Sequence, residues 1–251
     1  MADEPPWGRF PTAAFAAAGV AVAVLVPTLV TSPYYSGILV LCGVYALLGL
    51  SVNLVFGYLG YLSFGHAGFF GLGAYTTALL VTKLGVGFWL AAAIATLPCA
   101  ALGALVGFAS LRVGGAYFAI ASLTVAEILR LVADNWIDLT RGPMGLVIGR
   151  PTIGWLEAGG VEFRTYYLGI VLLVLAVVLL GHLRLNRSPE GRSWLAVRES
   201  LDLAESVGVP TLRVRVKNLA LSGGLAGLAG ALLIPQVLVL SPDLFGPTIS
   251  A

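Results

Sequence analysis

The sequence predicts an all-α, polytopic integral membrane protein. Hydrophobic residues make up 59% of the chain and charged residues only 10%, against about 25% charged in an ordinary soluble domain. The apolar residues gather into runs near the length of about 20 residues that crosses a hydrocarbon core. Six glycines also fall within residues 57–73, inside such a stretch. Glycine costs about 1 kcal/mol in an ordinary helix interior. Between membrane helices it instead permits close backbone approach, or a break beside a cavity.

About seven spans are expected: 13–30, 36–56, 66–82, 88–109, 116–134, 165–183 and 216–236. The first follows the polar leader M-A-D-E-P-P-W-G-R-F, with no A-x-A-like cleavage pattern after a short apolar core, so it is expected to be retained. Pro27 and Pro98 lie inside two of the spans and are expected to kink or interrupt them. Cys42 and Cys99 each sit in an apolar run and read as small buried residues. The last span carries S-G-G-L-A-G-L-A-G-A-L, in which Gly223, Gly227 and Ala231 repeat every four residues, a small-residue packing face that Gly230 extends.

Two polar segments interrupt the spans, 135–164 and 184–215. Seven of the fourteen Lys and Arg lie in 184–217, with only four acids. The positive-inside rule makes this loop cytoplasmic. Alternation then puts Arg9 and Arg112 on the same side, nine basic residues in all. Lys83, Arg141, Arg150 and Arg164 fall on the other side. This parity holds only if 58–75 belongs to a span and does not re-enter.

Three groups of residues carry the functional readings. Asn53, Gly57, Gly60, Ser63 and His66 lie in the glycine-rich stretch, which reads as tight helix packing or as a broken helix beside a translocation path. Glu127, Arg130 and Asp134 stand at i, i+3 and i+7, so they share one helix face. A charge in hydrocarbon costs about 2.5–3.5 kcal/mol on insertion scales. Glu127 and Arg130 are therefore expected to pair, as a structural ion pair or as a gate. Third, residues 193–207 read as one amphipathic helix outside the bilayer, with Gly191 before it and Gly208-Val209-Pro210 after it. Its apolar side is expected to pack on its own membrane domain or to dock on a cytoplasmic partner.

Several function classes fall away. The chain contains no G-x-x-x-x-G-K-[ST] phosphate loop and no haem, flavin or zinc motif, so neither catalysis, nor a cofactor, nor a metal is expected. A net charge of +2 with no basic, aromatic-interleaved patch gives no sign of nucleic-acid binding.

Three blocks in order resemble the branched-chain amino-acid ABC transporter permease family, specifically its M-type membrane subunit. The first is N-L-V-F-G-Y-L-G at 53–60, followed by L-S-F-G-H-A at 62–67 and G-L-G-A-Y at 71–75. The second runs from Leu111-Arg112 through Glu127, Arg130 and Trp136 to Gly142-Pro143-Met144-Gly145. The third begins at Ser188-Pro189-Glu190-Gly191-Arg192, passes Arg198-Glu199, Ala204 and Gly208, and ends in Ser222 and A-G-L-A-G at 226–230. Together they span about 45 to 232.

The resemblance implies a single transmembrane permease domain over 1–251, with an extracytoplasmic loop at 135–164 and an ATPase-coupling loop at 184–215. In that loop Arg198, Glu199 and Ala204 belong to the contact helix and Gly208 ends it. It implies a multi-pass transport subunit of the bacterial inner membrane, set in lipid and not itself an enzyme. The implied partners are ABC ATPase subunits, a second related permease and an extracytoplasmic solute-binding protein. Branched-chain amino acids are the first substrate expected, with urea or short-chain amides as the alternative. An ATP-independent secondary transporter or channel is a further alternative, for which Glu127 and His66 are the available ion-coupling residues. Two positions depart from the family pattern, Tyr61 in place of Gln and Leu203 in place of a second Ala. Family members usually continue past the position of Ala251, so the chain reads as C-terminally truncated, lacking about two or more spans.

Overall fold

A computed structural model describes residues 12–30, 32–109, 115–148, 161–237 and 239–245. Arg9, Arg112, Arg150 and the stretch 149–160 of the expected outer loop lie outside them, as do 246–251.

All seven expected spans are helical: α1 (Thr12–Leu29), α2 (Pro33–Leu59), α3 (His66–Leu84), α4 (Phe88–Ala109), α5 (Ala116–Asn135), α7 (Val161–Arg187) and α10 (Thr211–Leu233). Short helices lie between them: α6 (Ile137–Thr140), α8 (Pro189–Glu199) and α9 (Leu201–Ser206). Among the described residues, five helices are long and apolar enough to cross a membrane: α2, α3, α4, Thr165–Arg187 of α7 and Thr211–Gln236 around α10. In α1 the apolar stretch is shorter, Ala17–Leu29. In α5, Glu127, Arg130 and Asp134 are three charges within 20 residues. Both α1 and α4 run on through Pro27 and Pro98 as single helices.

Residues 58–75 comprise the end of α2, a non-helical connection and the first half of α3. The chain leaves α2 through Gly60, whose φ of +72° lets its N–H reach Phe56 O at 3.1 Å and close the helix end. It is non-helical to Gly65, then starts α3 at His66.

The hub is α10, which packs along α4, crosses α3 and lies against α2; α7 joins α2 to α1, and α5 leans on α3. Small residues make these approaches possible. Gly223 and Gly227 meet Cys99 of α4, Gly103 meets Leu219, Gly73 meets the Gly227 backbone, and Gly230 meets Phe70 O. The expected small-residue face is therefore a two-sided contact. Between lipid-bathed helices, van der Waals packing of this kind replaces the hydrophobic effect. Cys99 is buried as expected, but Cys42 is exposed on α2: its face of the helix meets no neighbour among the described residues, and an apolar run does not say which face that is. Val24, Leu97 and Leu105 are likewise exposed, as lipid contact requires.

The far end of α10 continues as a 3-10 turn, Ile234–Gln236, and then as a two-residue strand. Leu146–Val147 (β1) and Val239–Leu240 (β2) pair antiparallel. A second 3-10 turn, Pro242–Phe245, puts Phe245 against Gly71 and 5.4 Å from the Tyr75 ring. At the opposite end, α8 and α9 close over α2 and α10.

Candidate functional site

Six polar residues lie in the first half of α10, and the spacing of four of them places them together. Thr211, Arg215, Asn218 and Ser222 stand at i, i+4, i+7 and i+11, which is one helix face. All four are buried. This column faces α2 and the start of α3. Asn218 Nδ2 donates to Leu54 O at 2.6 Å, and Ser222 Oγ donates to Ser51 O at 2.7 Å. The single hydroxyl hydrogen of Ser222 is thereby engaged. His66 Nε2 lies 2.7 Å from the same Oγ, so it is the ring nitrogen that donates, and Ser222 accepts. His66 is fully buried, edge-on to Phe69. Lower on the column the guanidinium of Arg215 stacks 5.4 Å from the ring centre of Tyr61, a cation–π contact that holds a cation against apolar surroundings. Tyr61, which departs from the family pattern, thus has a role that a glutamine could not fill.

The loop under this column is built by caps. Ser188 Oγ accepts from Gly191 N–H and opens α8; Ser200 Oγ accepts from Leu203 N–H and opens α9. The single helix expected over 193–207 is therefore two. The extended backbone of Ser200 turns the chain, and its capping bond satisfies the amide that the turn frees. Gly191 is not punctuation ahead of a helix either: it lies inside α8, where a side chain would strike Leu185 O. Gly208, at φ +85°, ends α9; its N–H bonds Glu205 O and that of Val209 bonds Ala204 O, both at 2.9 Å.

The loop is tied firmly to the bundle. Trp194, 1% exposed, packs edge-on to Tyr58 at 5.8 Å within a cluster of Leu54, Val197, Ala204 and Val214. Burying a large apolar side chain contributes about 1.5–3 kcal/mol, and such an aromatic pair about 0.5–1.5 kcal/mol more. Arg198 Nη1 donates to Gly57 O at 2.6 Å, and Thr211 Oγ1 donates to Glu205 Oε1 at 2.6 Å. Lys217 pairs with Glu190 at 2.5 Å. In α9, Ala204 faces inward at 2% exposure while Leu203 and Val207 are 70% and 74% exposed. The expected contact residues therefore divide: Ala204 anchors the helix, Glu199 is exposed at the end of α8, and the outward apolar surface belongs to Leu203 and Val207.

The charged residues of α5 form a triad. Arg130 Nε donates to both oxygens of Glu127 at 3.0 and 3.1 Å, Nη2 donates to Glu127 Oε1 at 2.6 Å, and Nη1 donates to Asp134 Oδ2 at 3.0 Å. The expected Glu127–Arg130 pair is present and gains Asp134. These side chains are between a quarter and a half exposed.

The residues singled out from the sequence thus fall into separate groups. His66 joins the polar column through Ser222, and Ser63 is buried in the connection that precedes it. Gly57 and Gly60 lie under Arg198, with Gly60 Cβ space only 3.2 Å from Arg198 Cγ. Glu127 and Arg130 stay on α5. Asn53 is exposed on α2 and folds over Gly57, apart from His66. Ser51, Thr211, Arg215 and Asn218 were not singled out. The i, i+4, i+7, i+11 spacing of Thr211, Arg215, Asn218 and Ser222, four of the six polar residues in α10, was the available signal.

A family model described as branched-chain amino acid transport system / permease component matches residues 34–251, and the chain belongs to that family. It is 37% identical over 223 residues to the high-affinity branched-chain amino acid transport system permease protein LivM of Salmonella typhimurium and to that of Escherichia coli K12. Those matches cover 80% of this chain and 52% of each relative, so the chain spans about half the length of the curated relatives it matches. It is 23% identical over 202 residues to LivH of Escherichia coli K12, a permease protein of the same printed description, covering 75% of this chain and 66% of that one. No solved structure matches it.

Proposed function

We propose that this chain, as a member of that family, is a membrane subunit of an ATP-driven importer for branched-chain amino acids in a bacterial inner membrane. The observation that carries this reading is α9: Leu203 and Val207 face outward from a helix whose other side is locked to α2 and α10. An apolar pair held rigidly on a polar loop fits docking into a groove on a partner. The sequence has no phosphate-binding loop of its own, so the partner is an ATPase subunit. The likeness to both LivM and LivH supports a second, related permease as the other membrane partner. A solute-binding protein docks at the opposite end, beside the β1–β2 pair, and surrounding lipid covers the apolar faces.

Mechanistically, ATP-driven movement of the docked ATPase pulls α8 and α9. Their ties to Gly57 and Thr211 pass that movement to α2 and α10, whose repacking opens the route alternately to each side. The test is affinity purification of the tagged chain from its native membranes, with mass spectrometry of what remains bound. Recovery of an ATPase and a second permease with the wild type, and loss of the ATPase alone with Leu203→Asp, is the expected result. Full ATPase recovery with Leu203→Asp and Val207→Asp together would overturn the docking assignment.

A further inference from the structure

We propose that one shoulder of α5, built from Ile120, Leu123, Glu127, Arg130 and Asp134, is the surface on which the second permease subunit seats a membrane helix carrying a Lys or Arg. This rests on the permease reading above and adds to it the face, and the chemistry, of the contact between the two subunits.

The five residues stand at i, i+3, i+7, i+10 and i+14, the spacing by which one helix meets another along a seam. A different face of α5 packs within the chain: Phe118, Ser122, Ala126 and Ala133 are buried, and the helix leans on α3. On the shoulder, Ile120 and Leu123 stay 63% and 38% exposed. The side chains of Glu127, Arg130 and Asp134 stay 46%, 30% and 26% exposed. Glu127 stands about 12 Å before the Asn135 end of α5, at 1.5 Å per residue, within reach of a hydrocarbon layer about 30 Å thick. Charge at that depth belongs against protein or water and not against lipid.

Thr124 and Asn135 are also exposed on α5, but they turn their donors back on their own helix. Thr124 Oγ1 donates to Ile120 O at 2.9 Å, and Asn135 Nδ2 donates to Leu131 O at 2.8 Å, which suits an apolar setting. The triad does not close in this way. Two carboxylates share one guanidinium, which leaves a net charge of −1. Asp134 Oδ1 accepts no hydrogen bond among the described residues. The shoulder therefore lacks positive charge and donors, and a Lys or Arg on a facing helix supplies both. Charge also selects the partner. A twofold pairing of this shoulder with a second copy of the chain would set one negative triad against another. A related but non-identical permease can carry the cation instead.

The test uses the full complex in its native membranes, with this chain tagged. The photo-crosslinker p-benzoyl-phenylalanine replaces Leu123 in one variant and Ile128, exposed on the far flank of α5, in another. Illumination is expected to join position 123 to the second permease severalfold more than position 128. Equal yields would overturn the proposal. So would a product that joins position 123 to lipid, to a second copy of this chain or to another part of the same polypeptide. Glu127→Ala is expected to weaken retention of the second permease about tenfold, the worth of a hydrogen bond to a charged group, while the ATPase stays bound through α9. Full retention of the second permease would overturn the charge pairing. If Glu127→Ala loses the ATPase as well, the variant is misfolded and the cross-link at position 123 decides alone. A wild-type complex that holds an ATPase but no second permease would overturn the two-permease reading itself.

Discussion

Arg198 Nη1 donates to Gly57 O at 2.6 Å, a contact that spans 141 positions of sequence and fastens the loop to the last turn of α2. The carbonyls of a helix's last turn lack intrahelical partners and carry the negative end of the macrodipole. A guanidinium placed there satisfies one of them and is stabilised by the field. On the proposed mechanism, this contact passes a movement of α8 to the end of α2.

Arg198→Ala is expected to leave the chain inserted but to loosen α8 from α2, with substrate-stimulated ATPase activity in the reconstituted complex falling severalfold. Arg198→Lys, which keeps the charge but loses the planar fork, is expected to lie between. Stimulation equal to wild type in Arg198→Ala would remove this contact from the coupling route.

Gly60 and Gly208 are held at φ +72° and +85°. A side chain in this region costs about 1–2 kcal/mol. Gly60→Ala also brings its Cβ to 3.2 Å from Arg198 Cγ, whereas Gly208 faces open space. Gly60→Ala is therefore expected to lower the melting temperature of the purified protein more than Gly208→Ala. Gly208→Val should impair ATPase recovery and uptake.

Arg130 serves two carboxylates, so the triad's members are unequal. Arg130→Ala leaves Glu127 and Asp134 facing each other without a cation. Glu127→Ala leaves the Arg130–Asp134 pair intact. Melting curves in detergent are expected to rank Arg130→Ala below Glu127→Ala, with Glu127→Gln/Arg130→Met above Arg130→Ala. The reverse order would mean that the triad is not held as a unit.

Ser200→Ala removes the cap of α9. Such a loss costs about 0.5–2 kcal/mol, and here it also removes the residue that separates two helices. Hydrogen exchange of the α9 amides is expected to accelerate, while that of α10 stays unchanged. Unaltered exchange in α9 would show that packing of Ala204 holds the helix without its cap.

Gly73→Leu is expected to abolish stable expression, because even a Cβ there meets the Gly227 backbone and overpacking costs about 1–3 kcal/mol or more. Gly49→Ala, where nothing lies within 4 Å, is the matched control and should express normally.

The seven expected spans were legible as helices, because a long apolar run in lipid must satisfy its own backbone, and five of them have spanning length and apolarity among the described residues. The loop was legible as amphipathic but not as two helices. Serine favours helix N-caps over interiors, but a serine within an amphipathic run does not by itself say that the chain turns at Ser200. The glycines of 57–73 were legible as close contacts, though not which helix each one meets.

By itself the sequence determined that this is an all-α membrane protein, which stretches are helical, that Arg130 has an acid within reach, and that glycine would bring backbones together. These follow from local periodicity and from the cost of charge and unbonded backbone in lipid. Only the tertiary structure decided that α10 is the hub, that His66 meets Ser222 and Asn218 meets α2, that Arg198 belongs to Gly57, and that Leu203 faces out while Ala204 faces in. Each of these joins residues far apart in the chain. The geometry of such a pair depends on how whole helices cross, which no local pattern encodes.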